Sequence, residues 1–248
     1  MTSYEGIAMT TQAGMPAPLR FHAAGQWASG TVDDAGDLIL PADTRRALAT
    51  IAKPLSLKAK MPVFRQGEPA DPVYLIRSGA VRVSHQLENG RNQVIAFHWP
   101  GDLFGLAEND LYLNSADTLT ECELVRFSRT EIQTLFQKYP QLQADLLVEA
   151  IARLRQSQRH LLLVTHQRVS TRVAGFFIEC SGETECYDPE TGVLSLLMDR
   201  ADIAEYLNTT TETVSRAIGT LEDRKLIVRL DTRHVRLDLP GLKAVLES

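Results

Sequence analysis

The segment that most constrains the fold is ADIAEYLNTTTETVSRAIGTLEDRKLI, at residues 201–227. It contains two short amphipathic helical patterns separated by a polar kink at Asn208 and Thr209. Thr210 is of the residue type that caps helix N-termini, so the second helix is predicted to run from residue 211 to about residue 223. The apolar residues on one side of the first helix are Ile203, Ala204 and Leu207. Two such helices joined by a tight turn predict a helix-turn-helix.

The second helix is polar on one side of its first turns and apolar on the other. At about 100° per residue, its polar residues fall within an arc of roughly 140°. These residues are Thr211, Glu212, Ser215 and Arg216. The opposite arc carries Val214, Ala217, Ile218 and Leu221. A helix that buries one side and offers polar side chains at its start is typical of a recognition helix in the DNA major groove.

The polar side chains suit base recognition. Arg216 can donate two hydrogen bonds to guanine, and Glu212 can accept one from the amino group of cytosine or adenine. Ser215 can contact a base or a phosphate. A Glu-x-x-x-Arg pair on an amphipathic helix is also typical of a solvent-exposed ion pair, and that alternative remains open for Glu212 and Arg216 taken by themselves.

A basic hairpin follows the second helix. The stretch KLIVRLDTRHVRLDL predicts a β-hairpin around Asp231 and Thr232, a wing that carries Arg233. Residues 206–236 contain six basic and four acidic residues, whereas the whole chain has a net charge of -5. DNA binding by an acidic protein requires such a local basic patch.

The pattern upstream is that of a small β-domain. Residues 61–127 consist of short β-like runs separated by turn residues. Glycines follow one another there at intervals of 12, 11, 11 and 4 residues, and the first three intervals match strand-turn spacing in an all-β barrel or roll. The glycines are Gly67, Gly79, Gly90, Gly101 and Gly105.

A long helix is predicted after Pro140, because no Gly or Pro occurs from there to about His166. Within it, apolar residues and one glutamine recur at steps of 4, 3, 4 and 3, the spacing of a seam between two helices. The seam residues are Leu147, Ile151, Leu154, Gln158 and Leu161. The prediction is a helix paired with its symmetry mate in a homodimer, and the alternative is a core helix packed on its own β-domain.

The remaining segments have weaker signals. Residues 1–40 show no sustained period and are predicted to form an irregular arm. Residues 179–190 contain five acids and no base, and we interpret them as a domain connector. The sequence has neither a long apolar run nor a secretory signal, so no membrane partner is expected and the protein is placed in the cytoplasm. Three irregularly spaced cysteines are consistent with a reducing compartment.

Three motifs in this order resemble one family. YLIRSGAVRV, FHWPGDLFGL and DIAEYLNTTTETVSRAIGTLE are similar to segments of the transcription regulators related to the cyclic-AMP receptor protein and the fumarate and nitrate reduction regulator. The resemblance implies an α+β fold with an N-terminal β-roll of the cyclic-nucleotide-binding jelly-roll type, a long dimerisation helix and a C-terminal winged helix-turn-helix. The corresponding ranges are 1–40 for the arm, 41–139 for the roll with its flanking helices, 140–166 for the dimerisation helix and 167–248 for the DNA-binding domain.

The motif ETVSR resembles the branch that contains the fumarate and nitrate reduction regulator and the FixK-like proteins. That resemblance implies an activator that reads a palindrome such as TTGAT-N4-ATCAA through Glu212, Ser215 and Arg216, with RNA polymerase as a partner. Thr211 stands where the cyclic-AMP branch has a further arginine, so a different operator is expected. Thr210 and Arg233 are also assigned to the DNA-binding surface.

The sensor half departs from the relatives that bind known ligands. Leu106 occupies the glutamate position of the cyclic-AMP cassette, no arginine lies between Arg91 and Arg126, and a phosphate would meet Glu108, Asp110 and Asp117. A [4Fe-4S] cluster needs four thiolates or equivalents, and this chain has three cysteines. No cofactor is therefore predicted. Gating by an unidentified small ligand or haem in the roll is the alternative, since histidines are available at positions 22, 85, 98, 160 and 166.

Other readings of the chain are less well supported. The sequence contains no nucleophile elbow, P-loop, metal-spaced His/Glu motif or Rossmann fingerprint, so an enzyme is not predicted. A protein-interaction module built on a β-roll is a further alternative. Cys180 and Cys186, next to the acidic segment, are candidate oxidation-sensitive thiols by resemblance to FixK-like regulators, with inert thiols as the alternative.

Overall fold

The computed structural model describes residues 20–22, 31–32, 37–39, 48–107 and 110–247. Three short strands lie in the N-terminal part that the sequence predicts to be irregular, namely β1 Arg20–His22, β2 Thr31–Val32 and β3 Asp37–Ile39. They form an antiparallel sheet in the order β1-β3-β2. The irregular interpretation is therefore wrong for these residues, because strands of two or three residues are too short to show an alternating pattern. The rest of residues 1–40 lies outside the described part.

The β-roll consists of two four-stranded antiparallel sheets, in the orders β5-β10-β7-β8 and β4-β11-β6-β9. Their strands are β4 Lys53–Leu57, β5 Pro62–Phe64, β6 Pro72–Ser78, β7 Val81–Gln86, β8 Asn92–His98, β9 Leu103–Phe104, β10 Ser115–Thr118 and β11 Cys122–Ser128. Between the sheets lies an aromatic cluster in which the rings of Phe64 and Tyr112 stack at 3.8 Å. The predicted β-domain is confirmed.

The glycine spacing marks real turns, because all five glycines that the sequence singles out have φ between 79° and 95°. Gly79 shows why a side chain is excluded at one of them. A Cβ atom at this position would lie 2.3 Å from the carbonyl oxygen of Glu121, in the loop that precedes β11. The close approach of the two turns therefore requires glycine at this corner of the roll.

Two helices follow the roll. Helix α1, Arg129–Lys138, packs on the roll through Ile132 and Leu135. Helix α2, Pro140–Thr165, is 26 residues long and begins with proline at its first turn. Its buried residues include Leu142 near the start and Leu163 near the end. No described helix has the length and apolar character needed to span a membrane.

The C-terminal domain combines four helices with a four-stranded sheet in the order β12-β13-β15-β14. The helices are α3 Val169–Cys180, α4 Arg200–Tyr206, α5 Thr211–Asp223 and α6 Leu239–Leu246. The strands are β12 Tyr187–Asp188, β13 Val193–Ser195, β14 Ile227–Arg229 and β15 His234–Leu237. The order of roll, long helix and winged helix-turn-helix is the one predicted from the sequence.

The acidic segment is not a domain connector. Residues 179–190 end α3 and supply β12, which pairs with β13 inside the C-terminal domain. The chain passes from α2 to α3 through residues 166–168. The sequence interpretation fails because charge density indicates exposure to solvent, and the exposed turn of a hairpin satisfies it as well as a linker does.

The two halves share one hydrophobic core. Phe97 and Trp99 of the roll are buried in the same cluster as Phe176 of α3 and Tyr206 of α4. The ring of Phe97 lies 5.0 Å from that of Tyr206 and 6.1 Å from that of Phe176, measured between centroids. The C-terminal domain is therefore packed directly against the roll.

Candidate DNA-binding interface

Helix α5 has the predicted bounds and the predicted cap. The Oγ1 atom of Thr210 accepts a hydrogen bond from the backbone N–H of Thr213 at 3.2 Å, which satisfies one of the unpaired donors at the helix start. The four residues of the apolar arc are buried, and they fix the helix on its own domain: Val214, Ala217, Ile218 and Leu221.

The opposite side of α5 is exposed. The structure brings together Thr211, Glu212, Ser215 and Arg216, four residues that we call the polar arc. Arg216 Nη2 lies 3.7 Å from Glu212 Oε1, and 70% and 80% of the two side chains are exposed. Exposed pairs of this kind contribute about 0.2–0.5 kcal/mol on a helix, so Arg216 can leave Glu212 for another partner at little cost.

The turn between α4 and α5 is held by a residue that sequence reasoning missed. Arg172 on α3 donates from Nη1 to the carbonyl oxygens of Leu207 at 2.8 Å and Asn208 at 3.3 Å. Asn208 has φ 49°, the left-handed conformation that asparagine tolerates at a helix end. Arg172 therefore positions the turn and with it the start of α5. No local pattern reveals a contact that spans 35 residues.

The wing forms as predicted, with its turn at residues 230–233. Asp231 accepts hydrogen bonds from the backbone N–H groups of Arg233 at 2.7 Å and His234 at 2.8 Å, and from the His234 ring. These bonds, the Arg233 N–H first, lower the pKa of Asp231 to about 2. Arg200 donates to the carbonyl oxygen of Thr232 at 3.4 Å. The wing is thus preformed, with the Arg233 side chain exposed.

A charged contact joins the roll to the helix-turn-helix. The guanidinium of Arg82 on β7 donates to Asp202 on α4 and lies 3.3 Å from Asp117. Gln93 on β8 donates to the carbonyl oxygen of Glu205. Asp202 also accepts from the backbone N–H of Asp199, so the residue that holds the roll belongs to the cap of α4.

A half-buried carboxyl, that of Glu179, lies near the end of α3. The hydroxyl of Tyr206 donates to Glu179 Oε2 at 3.2 Å. Burial raises the pKa of Glu179 to about 7, although the bond from Tyr206 and the charge of Arg159 oppose the change. The His160 ring stacks on Tyr206 at 3.9 Å, and burial lowers its pKa. The junction of α2, α3 and α4 therefore contains a carboxyl that titrates near neutral pH.

In the loop that follows β9, none of the described residues 105–107 and 110–114 carries a positive charge that could hold a cyclic phosphate. Leu106 is 69% exposed, and Asp110 is exposed. The sequence predicts that Asp117 repels a phosphate. In the structure its charge is paired with Arg65 at 2.7 Å and with Arg82 at 3.3 Å, so it does not act as a free negative charge. Glu108 lies outside the described residues.

The described histidines are not grouped for metal binding. His98 Nδ1 lies 3.2 Å from Asp102, and His85 Nδ1 lies 3.0 Å from the carbonyl oxygen of Leu113. In the described part of the chain, no three His, Cys, Asp or Glu side chains are placed to hold a metal ion. His22 is in β1, and His166 ends α2.

The two candidate redox cysteines lie in the core of the C-terminal domain. Cys180 and Cys186 are 3% and 2% exposed. Burial raises the pKa of Cys186 to about 12 and that of Cys180 well above its ordinary value. Peroxide reacts with an accessible thiolate, and this environment opposes both accessibility and ionisation. The redox hypothesis stays a prediction, and the structure gives it no support.

The seam of α2 faces solvent. Its five residues are exposed in the single chain: Leu147, Ile151, Leu154, Gln158 and Leu161. In the single chain these five residues therefore lie outside the core, although Leu142 at the start of α2 packs with the roll, and the pairing of two helices stays a prediction. The roll is instead contacted by the other side of α2, where Arg153 donates to the buried Asp102.

Comparison with known proteins agrees with this architecture. A cyclic nucleotide-binding domain model matches residues 54–139, and a Crp-like helix-turn-helix domain model matches residues 171–245. The nitrogen fixation regulation protein FixK of Azorhizobium caulinodans is 33% identical over 195 residues, which are 77% of this chain and 78% of FixK. The transcriptional activatory protein AadR of Rhodopseudomonas palustris is 32% identical over 188 residues, 76% of this chain and 78% of AadR.

Solved structures show the same fold. The structure of FixK2 from Bradyrhizobium japonicum has a TM-score of 0.72 at 29% identity and covers 79% of this chain and 97% of FixK2. The regulator CLP of Xanthomonas campestris has a TM-score of 0.66 at 23% identity, covering 79% of this chain and 99% of CLP, and supports the fold alone. The chain therefore belongs to the CRP/FNR superfamily, a family of transcription regulators rather than enzymes, and to its FixK-like branch.

Proposed function

We propose that the protein is a homodimeric activator that binds a palindrome related to TTGAT-N4-ATCAA, without cyclic AMP or an iron-sulphur cluster. The observation that carries this proposal is the polar arc of α5, four exposed polar side chains on a helix whose other side is buried. We expect Arg216 to leave Glu212, with which it forms a weak exposed pair, and to donate to the O6 and N7 atoms of guanine. The first strand of the wing contacts the same helix, and we expect the exposed Arg233 of the wing to contact the DNA phosphate backbone.

The homodimer is supported by the exposed apolar seam of α2. A two-fold axis that runs along this helix places one recognition helix in each subunit. Two recognition helices that contact the same face of DNA require half-site centres one helical turn, about 34 Å, apart. RNA polymerase is the proposed partner on the promoter, and the cytoplasm is the proposed location.

Fluorescence anisotropy with metal-free protein tests the proposal. The probes are the palindrome, a duplex with one half-site and a scrambled duplex of equal length and composition. We expect binding of the palindrome at nanomolar to sub-micromolar concentration, and scrambled DNA to bind about a thousandfold more weakly. Equal affinity for palindrome and scrambled DNA would contradict the proposal. Transcription in vitro with RNA polymerase then tests activation, since a decrease in transcript from an operator-bearing promoter would indicate a repressor.

A second candidate is a regulator gated by a small ligand or haem in the roll. It is favoured by one observation, a cavity of about 660 Å³ between the roll and α2. Titration with haem, followed by its absorption spectrum and by repeated anisotropy, separates the two candidates. Stoichiometric haem binding that changes operator affinity tenfold would favour the second.

A further inference from the structure

Gly219 lies in the interior of the recognition helix α5, with at least one helical turn on either side. A glycine at such a position is less favourable than an alanine, by a factor of about two to five in the folding equilibrium, because it loses more backbone freedom on folding. Its backbone has the ordinary right-handed helical conformation, which any residue adopts. The helix itself therefore gives no reason for a glycine here.

Packing within the chain does not explain this glycine either. A Cβ atom added at position 219 would meet no atom within 4 Å beyond its chain neighbours and the backbone of its own helix. The other two glycines in the helices that the structure describes are different. At Gly175 a Cβ atom would lie 2.3 Å from Leu163 Cδ1. At Gly241 it would lie 2.3 Å from Asp238 Oδ2. The fold requires those two glycines, whereas it leaves open space at Gly219.

Gly219 lies on the same side of α5 as the polar arc. At about 100° per residue it is placed at about 80° from the first residue of the helix, between Ser215 at about 40° and Glu212 at about 100°. It is partly exposed and lies about 6 Å further along the helix than Ser215. The side of α5 that we propose to face DNA therefore includes a position without a side chain.

A row of short residues runs along this side of the helix. Thr211, Ser215 and Gly219 follow one another at steps of four residues. The longer side chains of Glu212 and Arg216 form the neighbouring row. The Ser215 hydroxyl is turned back onto the helix, where it donates to the carbonyl oxygen of Thr211 at 3.0 Å. The helix backbone is therefore thinly covered along the short row, and a partner can approach it closely there.

The short row ends at an acidic residue. Asp223 occupies the next step of four residues, about 40° further round the helix, and it is exposed. A carboxylate at close range to the DNA phosphates would be repelled, so the DNA contact is expected to end before Asp223. Gly219 then belongs to the last turn of α5 that can touch DNA.

We infer that Gly219 is a further DNA-contact position, at which the backbone of α5 lies against the operator because no side chain holds it away. Glycine is the residue that permits close approach of a backbone to a ligand. Close approach at Gly219 brings Arg216 nearer to the base edges, so Gly219 acts as a positioning residue for the palindrome although it offers no group that reads a base. This role rests on the proposed function, since it requires α5 to lie in the major groove.

Two substitutions at position 219 test this role. Gly219→Ala should stabilise the free protein and lower its unfolding equilibrium constant about two- to fivefold, measured by denaturant titration at a fixed protein concentration. The same variant should raise the dissociation constant for the palindrome at least about fivefold in fluorescence anisotropy, because the added methyl group meets DNA. Gly219→Leu should raise it at least about fiftyfold. A merely structural role would not give this opposition, because stability and binding would then fall together.

Thr220→Leu is the matched control. It adds the same side chain at the next exposed position, about 40° beyond Arg216 and outside the polar arc, and should change the dissociation constant less than about threefold. An equal loss for Thr220→Leu would overturn the role of Gly219, because added bulk anywhere on α5 would then have the same effect.

The parent protein separates this role from the proposed function. If the parent prefers the palindrome to scrambled DNA and both Gly219 variants bind the palindrome as tightly, the proposed function stands and the role of Gly219 is wrong. Lower stability of Gly219→Ala would likewise overturn the role, since the glycine would then serve the fold. If the parent shows no preference for the palindrome, the proposed function fails and the role of Gly219 fails with it.

Discussion

Helices α2 and α5 each expose one side to solvent, and the two exposed sides differ in chemistry. The seam of α2 presents four apolar side chains and one glutamine, whereas the polar arc of α5 presents two hydroxyls, a carboxylate and a guanidinium. Burial of an apolar side chain against any apolar surface is favourable by about 25 cal/mol per Å² of apolar surface removed from water. Hydrogen-bonding side chains instead discriminate between partners, because a polar group that is buried without a hydrogen-bond partner costs free energy. The seam is therefore suited to association and the polar arc to recognition.

The largest expected effect comes from the seam. Leu154→Glu places a charge in an apolar interface, so we expect the dimer to dissociate and affinity for the palindrome to fall at least about a hundredfold, since each subunit then binds one half-site alone. Sedimentation equilibrium and anisotropy measure the two losses, with Leu87→Glu as the control. A monomer that binds one half-site as tightly as the parent binds the palindrome would remove the distinction between the two helices.

The next effect comes from the polar arc. Arg216→Ala should weaken binding of the palindrome by about 1–3 kcal/mol, with a much smaller loss on scrambled DNA, because the lost contact is to a base. Arg224→Ala is the matched control, an exposed arginine just beyond the end of the same helix, for which we expect a small loss that does not depend on sequence. Equal losses on both duplexes for Arg216→Ala would make it a phosphate contact.

A smaller effect is expected from Glu179, at the junction of α2, α3 and α4. The carboxyl of Glu179 has a pKa of about 7 in the folded protein and an ordinary value of 4.5, so the folded state favours its protonated form. The resulting stability is complete below pH 4.5 and is lost as the pH rises through 7. Between pH 6 and pH 8 the free energy of unfolding should fall by about 1 kcal/mol from this group. Denaturant titration should show that Glu179→Gln, which does not ionise, lacks this component.

The smallest effect is expected from cyclic AMP. Leu106 offers no acceptor to a ribose, and Arg82 is already paired with Asp117 and Asp202. Millimolar cyclic AMP should therefore change operator affinity less than about threefold, under 1 kcal/mol. A tenfold gain in operator affinity, measured by anisotropy, would show that the roll senses cyclic AMP.

The C-terminal domain was predictable because its signals are local. The cap at Thr210, the bounds of α5 and the buried arc all follow from residue type and helical period, and the structure confirms them. The exposed seam follows from the same period. The periodicity of apolar residues depends only on residues of the same helix, so a single sequence reveals it.

The contacts that sequence reasoning missed join distant segments. Arg82 and Asp202 are 120 residues apart, and Arg172 reaches Leu207 across 35 residues. Nothing near either arginine distinguishes it from a surface arginine. The acidic segment was misassigned for a related reason, since its charges indicate only that it is exposed and not which strands it joins.

The polar arc makes few contacts with the rest of the domain: Ser215 bonds the Thr211 carbonyl at 3.0 Å, and Arg216 pairs with Glu212. Replacing these four residues should therefore leave the scaffold largely undisturbed. After a gene duplication, a few substitutions in the polar arc are enough for the two copies to control different promoters. The same property makes these four positions, Thr211, Glu212, Ser215 and Arg216, the natural place to build a library of altered operator preference on one unchanged scaffold.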